Sequence, residues 1–418
     1  MTLDEIQKQH DAALMPTYGR FPVALASGHG ATAIDVEGRA YIDFGSGIGV
    51  NALGYCDEGW VRAVQEQAAA LQHISNLYYS PVQVQFAAEL CAATGMGRVF
   101  LCNSGAEANE CAIKLARKYS EDKYGPDRYA VVTMNNSFHG RTIATLEATG
   151  QDAFHAHFLP FTGGTLTTLS ATGQDVFHQY FFPFTEGFSF AKAGDLDSLK
   201  DKLDGSVCAV LLECVQGEGG VVALDKAYVQ AVQALCRERD VLLLVDEVQT
   251  GAGRTGTFLA CEQLGLQPDV VTMAKGLGGG LPIGACLCTQ ALGGVMSAGM
   301  HGSTFGGNPV ACAAGRYMLS RLTQPAFLEE VARKGAAIRQ RLAAMPHVRE
   351  VRGMGMMIGV VLDAGTARAV AEDCLQNGLL ILTAKTLLRL LPPLNITREE
   401  LDKGLSILES VLERIEDQ

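Results

Sequence analysis

The chain has 418 residues, 48% of them hydrophobic, and a formal net charge of -12. The length predicts two domains, or one large domain with a smaller one, and the negative charge argues against nucleic acid or an anionic membrane surface as a partner. The N-terminus lacks the basic start and apolar core of a signal peptide, and no apolar run approaches the length of a membrane span. The 12 cysteines are scattered without a CxxC pair. We therefore expect reduced thiols in a cytoplasmic protein.

Patterns of apolar residues predict the first elements. Residues 35–47 alternate between apolar and polar about a Glu-Gly turn, which predicts a β-hairpin. From about Trp60, helical patterns alternate with short apolar runs. In chain order these are a helix over 61–71, the strand RVFLCNS, the helix AEANECAIKLARKYS and the strands RYAVVTMNNS, VCAVLLEC and VLLLVDE. This alternation predicts an α/β fold with a mostly parallel sheet covered by helices on both faces.

The next feature is a tandem repeat. Residues 142–164 are followed by a near copy, residues 165–187, with 15 of the 23 paired positions identical. Because the cost of closing a loop grows slowly with length, one copy can be carried as an insertion. Two registers are then open. Either FHGR, residues 138–141, or FTGG, residues 161–164, can be the segment that lies at the functional site directly before one copy of the repeat. We favour the first because it follows a strand directly and supplies an arginine.

The pattern changes after Asn308. A helix-rich stretch leads to the apolar segments VRGMGMMIGVVL, NGLLILTA and LLRLLPPL, and a final helix is predicted from Arg398. These elements predict a second, smaller α+β unit.

Two residues in the middle of the chain suggest a chemistry. Asp246 ends the strand VLLLVD, and 29 residues later a second strand runs into Lys275 in a glycine-rich loop. An acid and a lysine at the ends of two such strands suit a pyridine cofactor, since the carboxylate holds the ring nitrogen and the amine forms a Schiff base with the aldehyde. Either residue alone would be read as an ordinary acidic loop or a surface lysine.

With these motifs the chain resembles the class III, pyridoxal-phosphate-dependent aminotransferases of fold type I, in the acetylornithine/ornithine branch. The resemblance runs almost end to end, from YGRFPVALASGHGATAIDVEGRAYIDFGSGIGVNALGY to RLLPPLNIT. It implies a large cofactor-binding domain over residues 51–310, with a mostly parallel sheet of the seven-stranded type. A small α+β domain would combine the N-terminal segment, residues 1–50, with residues 311–418.

The resemblance also implies roles around the cofactor ring. Lys275 would form the Schiff base and, once displaced by the substrate amine, act as the general base. Asp246 would keep the pyridine nitrogen protonated, which makes the ring a better electron sink. Val248 and Phe138 would lie on opposite faces of the ring, and Gln249 would hydrogen-bond its phenolic oxygen.

A phosphate cradle is expected at the start of a helix. The string NSGAEAN, residues 103–109, follows a strand directly, and free N–H groups at a helix N-terminus bind phosphate. The resemblance places the phosphate contacts on Gly105 and Ala106. Cys102 and Cys111 flank this string, and we expect both to pack as small apolar side chains without a redox role.

The string HGSTFGGN resembles the family segment that reaches the active site of a neighbouring subunit. Thr304 would donate its hydroxyl to the phosphate there, and Ser303 would lie near the substrate. The resemblance therefore implies a homodimer with shared active sites.

Substrate carboxylates need positive partners. Arg389 matches the carboxylate arginine of the family, since a guanidinium grips a carboxylate through two parallel hydrogen bonds. Arg141 is a second candidate at the other end of the pocket, and Tyr18 is a candidate for the pocket wall. Glu218 would pair with Arg389 when an amine is presented and release it for a keto acid. The motif that contains Glu218 carries Cys214 where the family has proline.

The implied activity moves the terminal amine of N2-acetylornithine to 2-oxoglutarate by ping-pong chemistry in arginine biosynthesis, and we assign no metal ligands. Alternatives are an aminotransferase for ornithine, succinylornithine, 4-aminobutyrate or another diamine. An aminomutase, which needs no external keto acid, and an inactive relative whose pocket the repeat displaces are also open.

Overall fold

The computed structural model describes residues 1–142, 145, 149 and 187–415. The tandem repeat therefore lies almost wholly outside the described residues, as does the alternative segment FTGG. The choice between the two registers stays a prediction.

The N-terminal part begins with a helix and the expected hairpin. Its elements are α1 (Leu3–Ala13), β1 (Leu25–His29), β2 (Thr32–Asp35), β3 (Ala40–Asp43), α2 (Glu58–Ala70) and α3 (Pro81–Thr94). Strands β2 and β3 pair antiparallel, which confirms the hairpin. Helix α2 begins three residues before the predicted Val61 because Asp57 caps it: one carboxylate oxygen accepts from the backbone N–H groups of Gly59 and Trp60, both at 3.1 Å.

The middle of the chain alternates strands and helices. Its elements are β4 (Arg98–Cys102), α4 (Gly105–Tyr124), β5 (Ala130–Met134), β6 (Phe188–Ala191), α5 (Leu196–Lys200), β7 (Val207–Glu213), β8 (Val215–Gln216), β9 (Val222–Ala223), α6 (Lys226–Glu238), β10 (Leu242–Asp246), α7 (Ala260–Leu264), β11 (Val270–Met273) and β12 (Gly284–Cys288).

Seven of these strands form the central sheet, in the order β4-β12-β11-β10-β7-β5-β6. All are parallel except β12, which runs antiparallel to both of its neighbours. Every residue of β7 and β10 is buried, as expected for strands covered on both faces. Because the carboxyl ends of parallel strands meet at one edge, the segments after β4, β5, β7, β10 and β11 converge there.

The C-terminal part supplies the remaining elements: α8 (Pro309–Leu322), α9 (Pro325–Ala343), β13 (Val348–Met354), β14 (Met357–Leu362), α10 (Ala367–Gln376), β15 (Leu379–Leu380), β16 (Leu382–Ala384), β17 (Leu387–Leu390) and α11 (Arg398–Leu412). Helix α11 begins at the predicted Arg398, where Thr397 and Glu400 form a capping box. None of the described helices is long and apolar enough to cross a bilayer.

Two smaller sheets connect the ends of the chain. Strands β13, β14, β17 and β16 form one sheet, and β1, β2, β3 and β15 form the other. In the second sheet, Leu379 of β15 pairs in parallel with Ile42 of β3. This pairing supports our proposal that the N-terminal segment belongs with the C-terminal small domain.

A buried arginine joins the two parts of the molecule. The guanidinium of Arg254, in the loop after β10, is 2% exposed and donates to the carbonyl oxygens of Pro392 at 2.5 Å and Met356 at 3.3 Å. No carboxylate of the described chain forms an ion pair with it, and burial lowers its pKa to about 9. Its partners are thus backbone oxygens of the C-terminal part.

Candidate active site

A cavity of about 360 Å³ opens at the carboxyl edge of the central sheet. Its wall combines the start of α4 with the segments that follow β5, β10 and β11. The residues that line it are Val50, Asn103, Ser104, Gly105, Ala106, Asn109, Phe138, His139, Gly140, Glu213, Asp246, Val248, Gln249, Ala274, Lys275, Gly280, Leu281, Pro282 and Ile283. Seven residues predicted from sequence to contact the cofactor are among them, namely Gly105, Ala106, Phe138, Asp246, Val248, Gln249 and Lys275.

Asp246 ends β10 at the floor of the cavity and is 4% exposed. One carboxylate oxygen accepts from the backbone N–H of Val248 at 2.9 Å. The other accepts from the Asn109 amide at 2.7 Å and from Nδ1 of His139 at 2.8 Å. Thr272 donates to the Asn109 amide oxygen at 2.6 Å. The carboxylate is thus held in one orientation by neighbours that are themselves fixed.

His139 and Asn109 are site residues whose roles the sequence analysis missed. Because a carboxylate only accepts, Nδ1 of His139 carries the proton, and Nε2 is left buried without a partner among the described residues. Both residues stand inside motifs that resemblance already marks, FHGR and NSGAEAN. Only the fold shows that both side chains meet Asp246.

Lys275 follows β11 in a strained backbone conformation. Its φ of 47° lies in the left-handed region, which a non-glycine residue seldom adopts. Residues that do adopt it cluster at functional sites. Burial lowers the pKa of the Lys275 amine, and the charge of Arg389 lowers it further, whereas Glu218, Asp246 and Glu213 raise it. The net direction favours the neutral amine, which a nucleophile or a general base requires.

The first turn of α4 forms the expected anion cradle. Ser104 caps the helix by accepting from the backbone N–H of Glu107 at 3.2 Å. The N–H groups of Gly105 and Ala106 lie at the end of the helix that attracts negative charge. A Cβ at position 105 would lie 2.6 Å from Cγ1 of Val248, so only glycine allows this close approach.

The cavity also contains Glu213, which ends β7. Its carboxyl accepts from the backbone N–H of Phe138 at 2.9 Å and so holds the segment that carries that ring. Burial raises the pKa of Glu213 well above its ordinary value, and the negative charge of Asp246 adds to the effect. Gln249 also lines this cavity, and its amide oxygen is buried without a partner among the described residues, so a ligand hydroxyl could donate to it.

Arg389 and Glu218 form the pair that the sequence predicts. Arg389 lies on β17 and is 3% exposed, and its Nη1 donates to a Glu218 carboxylate oxygen at 2.5 Å. The Nε atom of Arg389 is buried without a partner among the described residues. A buried guanidinium with a spare donor is suited to binding a second carboxylate.

Six predicted site residues lie outside the cavity wall, two of them being the Arg389–Glu218 pair. Of the other four, Arg141 and Thr304 are exposed, and Tyr18 is exposed beside the N-terminal helix. Ser303 accepts from the Asn103 amide at 2.9 Å, so it lies against the strand end that leads into the cradle. Within one chain the cavity wall is therefore built without these six side chains, and their roles stay predictions.

The residues present fit pyridoxal phosphate. The cradle at the N-terminus of α4 suits a dianionic phosphate, and the held carboxylate of Asp246 suits a protonated ring nitrogen. The unpartnered oxygen of Gln249 suits the phenolic group, and the amine of Lys275, whose pKa is lowered by burial, suits an aldehyde. Val248 and Phe138 both line the cavity, and their apolar groups suit contact with a planar ring.

Comparison with known proteins identifies the family of this chain. The family model for aminotransferase class-III matches residues 14–412. The acetylornithine aminotransferase of Haemophilus ducreyi is 49% identical over 414 residues, which cover 99% of this chain and 99% of that protein. The chain therefore belongs to the class III aminotransferases.

Solved structures of the family have the same fold. The N-acetylornithine aminotransferase of Stenotrophomonas maltophilia superposes with a TM-score of 0.80 at 35% identity, over 97% of this chain and 98% of that one. The ornithine aminotransferase of Toxoplasma gondii superposes with a TM-score of 0.88 at 30% identity, over 99% and 95%. These matches confirm the predicted fold type I, and pyridoxal 5'-phosphate is the cofactor of this family.

Proposed function

We propose that this aminotransferase moves the terminal amine of N2-acetylornithine to 2-oxoglutarate, giving a semialdehyde and glutamate by a ping-pong reaction in arginine biosynthesis. The observation that carries the proposal is the pair of buried Arg389 and half-buried Glu218, whose charges both act on the Lys275 amine. The names of the relatives from H. ducreyi and S. maltophilia support the choice of donor.

The residues of this chain bind, orient and transfer protons. When bound, pyridoxal phosphate supplies an aldehyde for the substrate amine and a ring that takes up the electrons of the broken C–H bond. Asp246 holds a proton on the ring nitrogen. The neutral amine of Lys275 accepts a proton from the substrate carbon and returns it one step later. Phe138 and Val248 exclude water from the two faces of the ring.

One pocket accepts two substrates because Arg389 can change partners. With Glu218 paired to it, the positive charge is neutralised, and the terminal amine end of the donor meets no strong cation. When a keto acid enters, its carboxylate displaces Glu218 and takes both donors of the guanidinium. Glu218→Gln should therefore lower the Michaelis constant for 2-oxoglutarate more than it changes that for the amine donor.

The active form is proposed to be a homodimer. Two segments beside the cavity, residues 71–84 and 301–308, are here called the exposed loops. They are held together by the Asn76 amide, which donates to the carbonyl oxygens of Ser303 at 3.1 Å and Gly306 at 3.0 Å. Their exposed apolar side chains are Leu71, Leu77, Tyr78, Tyr79, Val84 and Phe305. A cluster of this kind is typical of a surface that another protein covers.

We propose that a second copy of the chain covers the apolar surface of the exposed loops, and that Thr304 of each copy reaches the cofactor phosphate of the other. Thr304 is exposed in the same loops and is missing from the cavity of its own chain. A cytoplasmic location is also part of the proposal, and it is supported by the 12 cysteines, all of which are free thiols.

The proposal is tested by assaying glutamate formation from N-acetylornithine and 2-oxoglutarate. Ornithine, succinylornithine and 4-aminobutyrate serve as competing donors under the same conditions. The highest kcat/KM is expected for N-acetylornithine, and a higher value for another donor would replace it in the proposal. Product formation without any keto acid would point to an aminomutase.

The register of the repeat is tested separately. Arg141→Ala should raise the Michaelis constant of the donor far more than Gly164→Ala does, since the first register places Arg141 near the pocket. A larger effect of Gly164→Ala would show that the second register is used.

A further inference from the structure

A second cavity, of about 300 Å³, lies between α4 and the strands β4 and β12. It is lined by three thiols, those of Cys111 on α4 and of Cys286 and Cys288 on β12, and by His301 and Arg98. Cys111 is 4% exposed and Cys286 is 3% exposed. Thiols of two different elements thus meet in one pocket that the aminotransferase reaction does not use.

The side chains around Cys111 favour its thiolate. Lys114 donates to the carbonyl oxygen of Met300 at 2.9 Å, and its ammonium lies 3.1 Å from Nδ1 of His301. Because an ammonium can only donate, Nδ1 accepts, which leaves the Nε2 N–H to donate a hydrogen bond to the sulfur of Cys111. The imidazole is further fixed against the ring of Phe100, with centroids 4.7 Å apart.

The two facing thiols differ in acidity. Hydrogen bonding from the Cys286 thiol and from His301, with the positive charge of Lys114, holds the pKa of Cys111 below its ordinary value. Hydrogen bonding with the Cys111 sulfur, together with burial, raises the pKa of Cys286. Burial likewise raises the pKa of Cys102, Cys208 and Cys288 in the same core cluster. These directions favour the thiolate at Cys111 and the neutral thiol at Cys286.

We propose that Cys111 and Cys286 form a peroxide-reactive pair, with Cys111 as the attacking sulfur and Cys286 as the resolving thiol. The Cys111 thiolate attacks one oxygen of a hydroperoxide, the O–O bond breaks, and hydroxide or alkoxide leaves, so that the sulfur becomes a sulfenic acid. The Cys286 sulfur then attacks, the S–O bond breaks, and the S–S bond forms. The thiol proton and the departing hydroxide leave as water.

Helix α4 connects this pair to the cofactor site. Its first turn forms the phosphate cradle, and Asn109, two residues before Cys111, holds Asp246 at 2.7 Å. A covalent bond from Cys111 to β12 pulls on the same turns of the helix. Oxidation is therefore expected to weaken cofactor binding.

The test uses the full-length holoenzyme treated with stoichiometric hydrogen peroxide. Alkylation of the remaining thiols after denaturation, followed by peptide mass spectrometry, should find a Cys111–Cys286 disulfide that a dithiol reverses. Cys286→Ser should stop at a sulfenic acid on Cys111, trapped by dimedone, and Cys111→Ser should not react. Cys208→Ser, a buried thiol of the same cluster, is the matched control and should react like the native protein.

Cofactor binding is followed in the same samples by the absorbance of pyridoxal phosphate released through an ultrafiltration membrane. The oxidised enzyme should release more cofactor than the enzyme after dithiol reduction, and the Cys111→Ser variant should show no difference. Native protein that keeps all 12 free thiols, or that oxidises first at another pair, would overturn the proposal. Unchanged cofactor release from fully oxidised protein would overturn its link to the active site.

Discussion

The floor of the active site and the exposed loops beside it differ in how far one chain completes them. At the floor, Asp246 is 4% exposed and accepts three hydrogen bonds from Val248, Asn109 and His139. In the exposed loops, Tyr79 is 97% exposed. One chain thus supplies the floor of the cavity by itself, whereas the exposed loops present the apolar surface that we propose a second copy covers.

The largest expected effect comes from the floor of the site. Lys275→Ala should lower kcat by roughly 10³-fold or more, because it removes both the covalent anchor and the proton carrier. The rate of glutamate formation checks this, with Lys202→Ala, an exposed lysine, as the control. A variant that keeps a tenth of the native kcat would show that another group carries the proton.

The exposed loops give the next effect. Tyr79→Asp replaces an exposed aromatic ring of the apolar surface with a charge. Losing this aromatic anchor should weaken the dimer by about 2 kcal/mol, or roughly 30-fold in the dissociation constant. Sedimentation over a range of concentrations measures the change, and Tyr79→Phe, which keeps the ring, should behave as the native chain. A native chain that sediments as a monomer would contradict the proposed shared sites.

Asn109 tests how much the hydrogen-bond network at the floor of the site contributes to stability. Asn109→Ala removes one donor from Asp246 and leaves the buried Thr272 hydroxyl without its acceptor, which should cost about 1–3 kcal/mol of stability. Urea unfolding of the cofactor-free protein measures this loss. Asn377→Ala, at an exposed helix end, should change the midpoint much less. Equal effects of the two substitutions would mean that the network contributes little.

The smallest expected effect concerns Glu213. Burial raises its pKa in the folded protein above the ordinary value of about 4.3, so the folded state holds its proton more tightly than the unfolded state. The resulting stability is fully present below that value and is lost as the pH rises through the folded pKa. Glu213→Gln cannot titrate, and its stability should therefore fall less between acidic and neutral pH.

Urea midpoints at several pH values check this difference. The exposed Glu121→Gln is the control. Parallel pH curves for native protein and Glu213→Gln would show that folding does not raise the pKa of Glu213.

Much of this molecule could be predicted from its sequence where the signal is local. The start of α11 at Arg398 follows from a Thr cap and a helical pattern, and the β2–β3 hairpin from alternation about a turn. Asp246 and Lys275 stand at the ends of buried strands, where parallel strands converge, so their proximity follows from the fold class.

Contacts between distant segments could not be predicted in this way. Periodicity indicates which face of an element is buried, and it does not indicate which side chain of another strand meets that face. His139 therefore had no predicted role, although its imidazole binds Asp246. Cys111 packs in a hydrophobic core as predicted, but the cavity that it shares with Cys286, from the reversed strand β12, could not be predicted.

Arg254 has a consequence for the motions of the enzyme. Its guanidinium and its own carbonyl oxygen both bind Met356, the latter by accepting from the Met356 N–H at 3.0 Å, and the guanidinium also holds Pro392. Separating Arg254 from Met356 and Pro392 would expose a buried cation and break these three hydrogen bonds together. We expect the amide proton of Met356 to exchange with solvent only in rare, large openings, so that substrate entry relies on small loop displacements and not on rotation of whole domains.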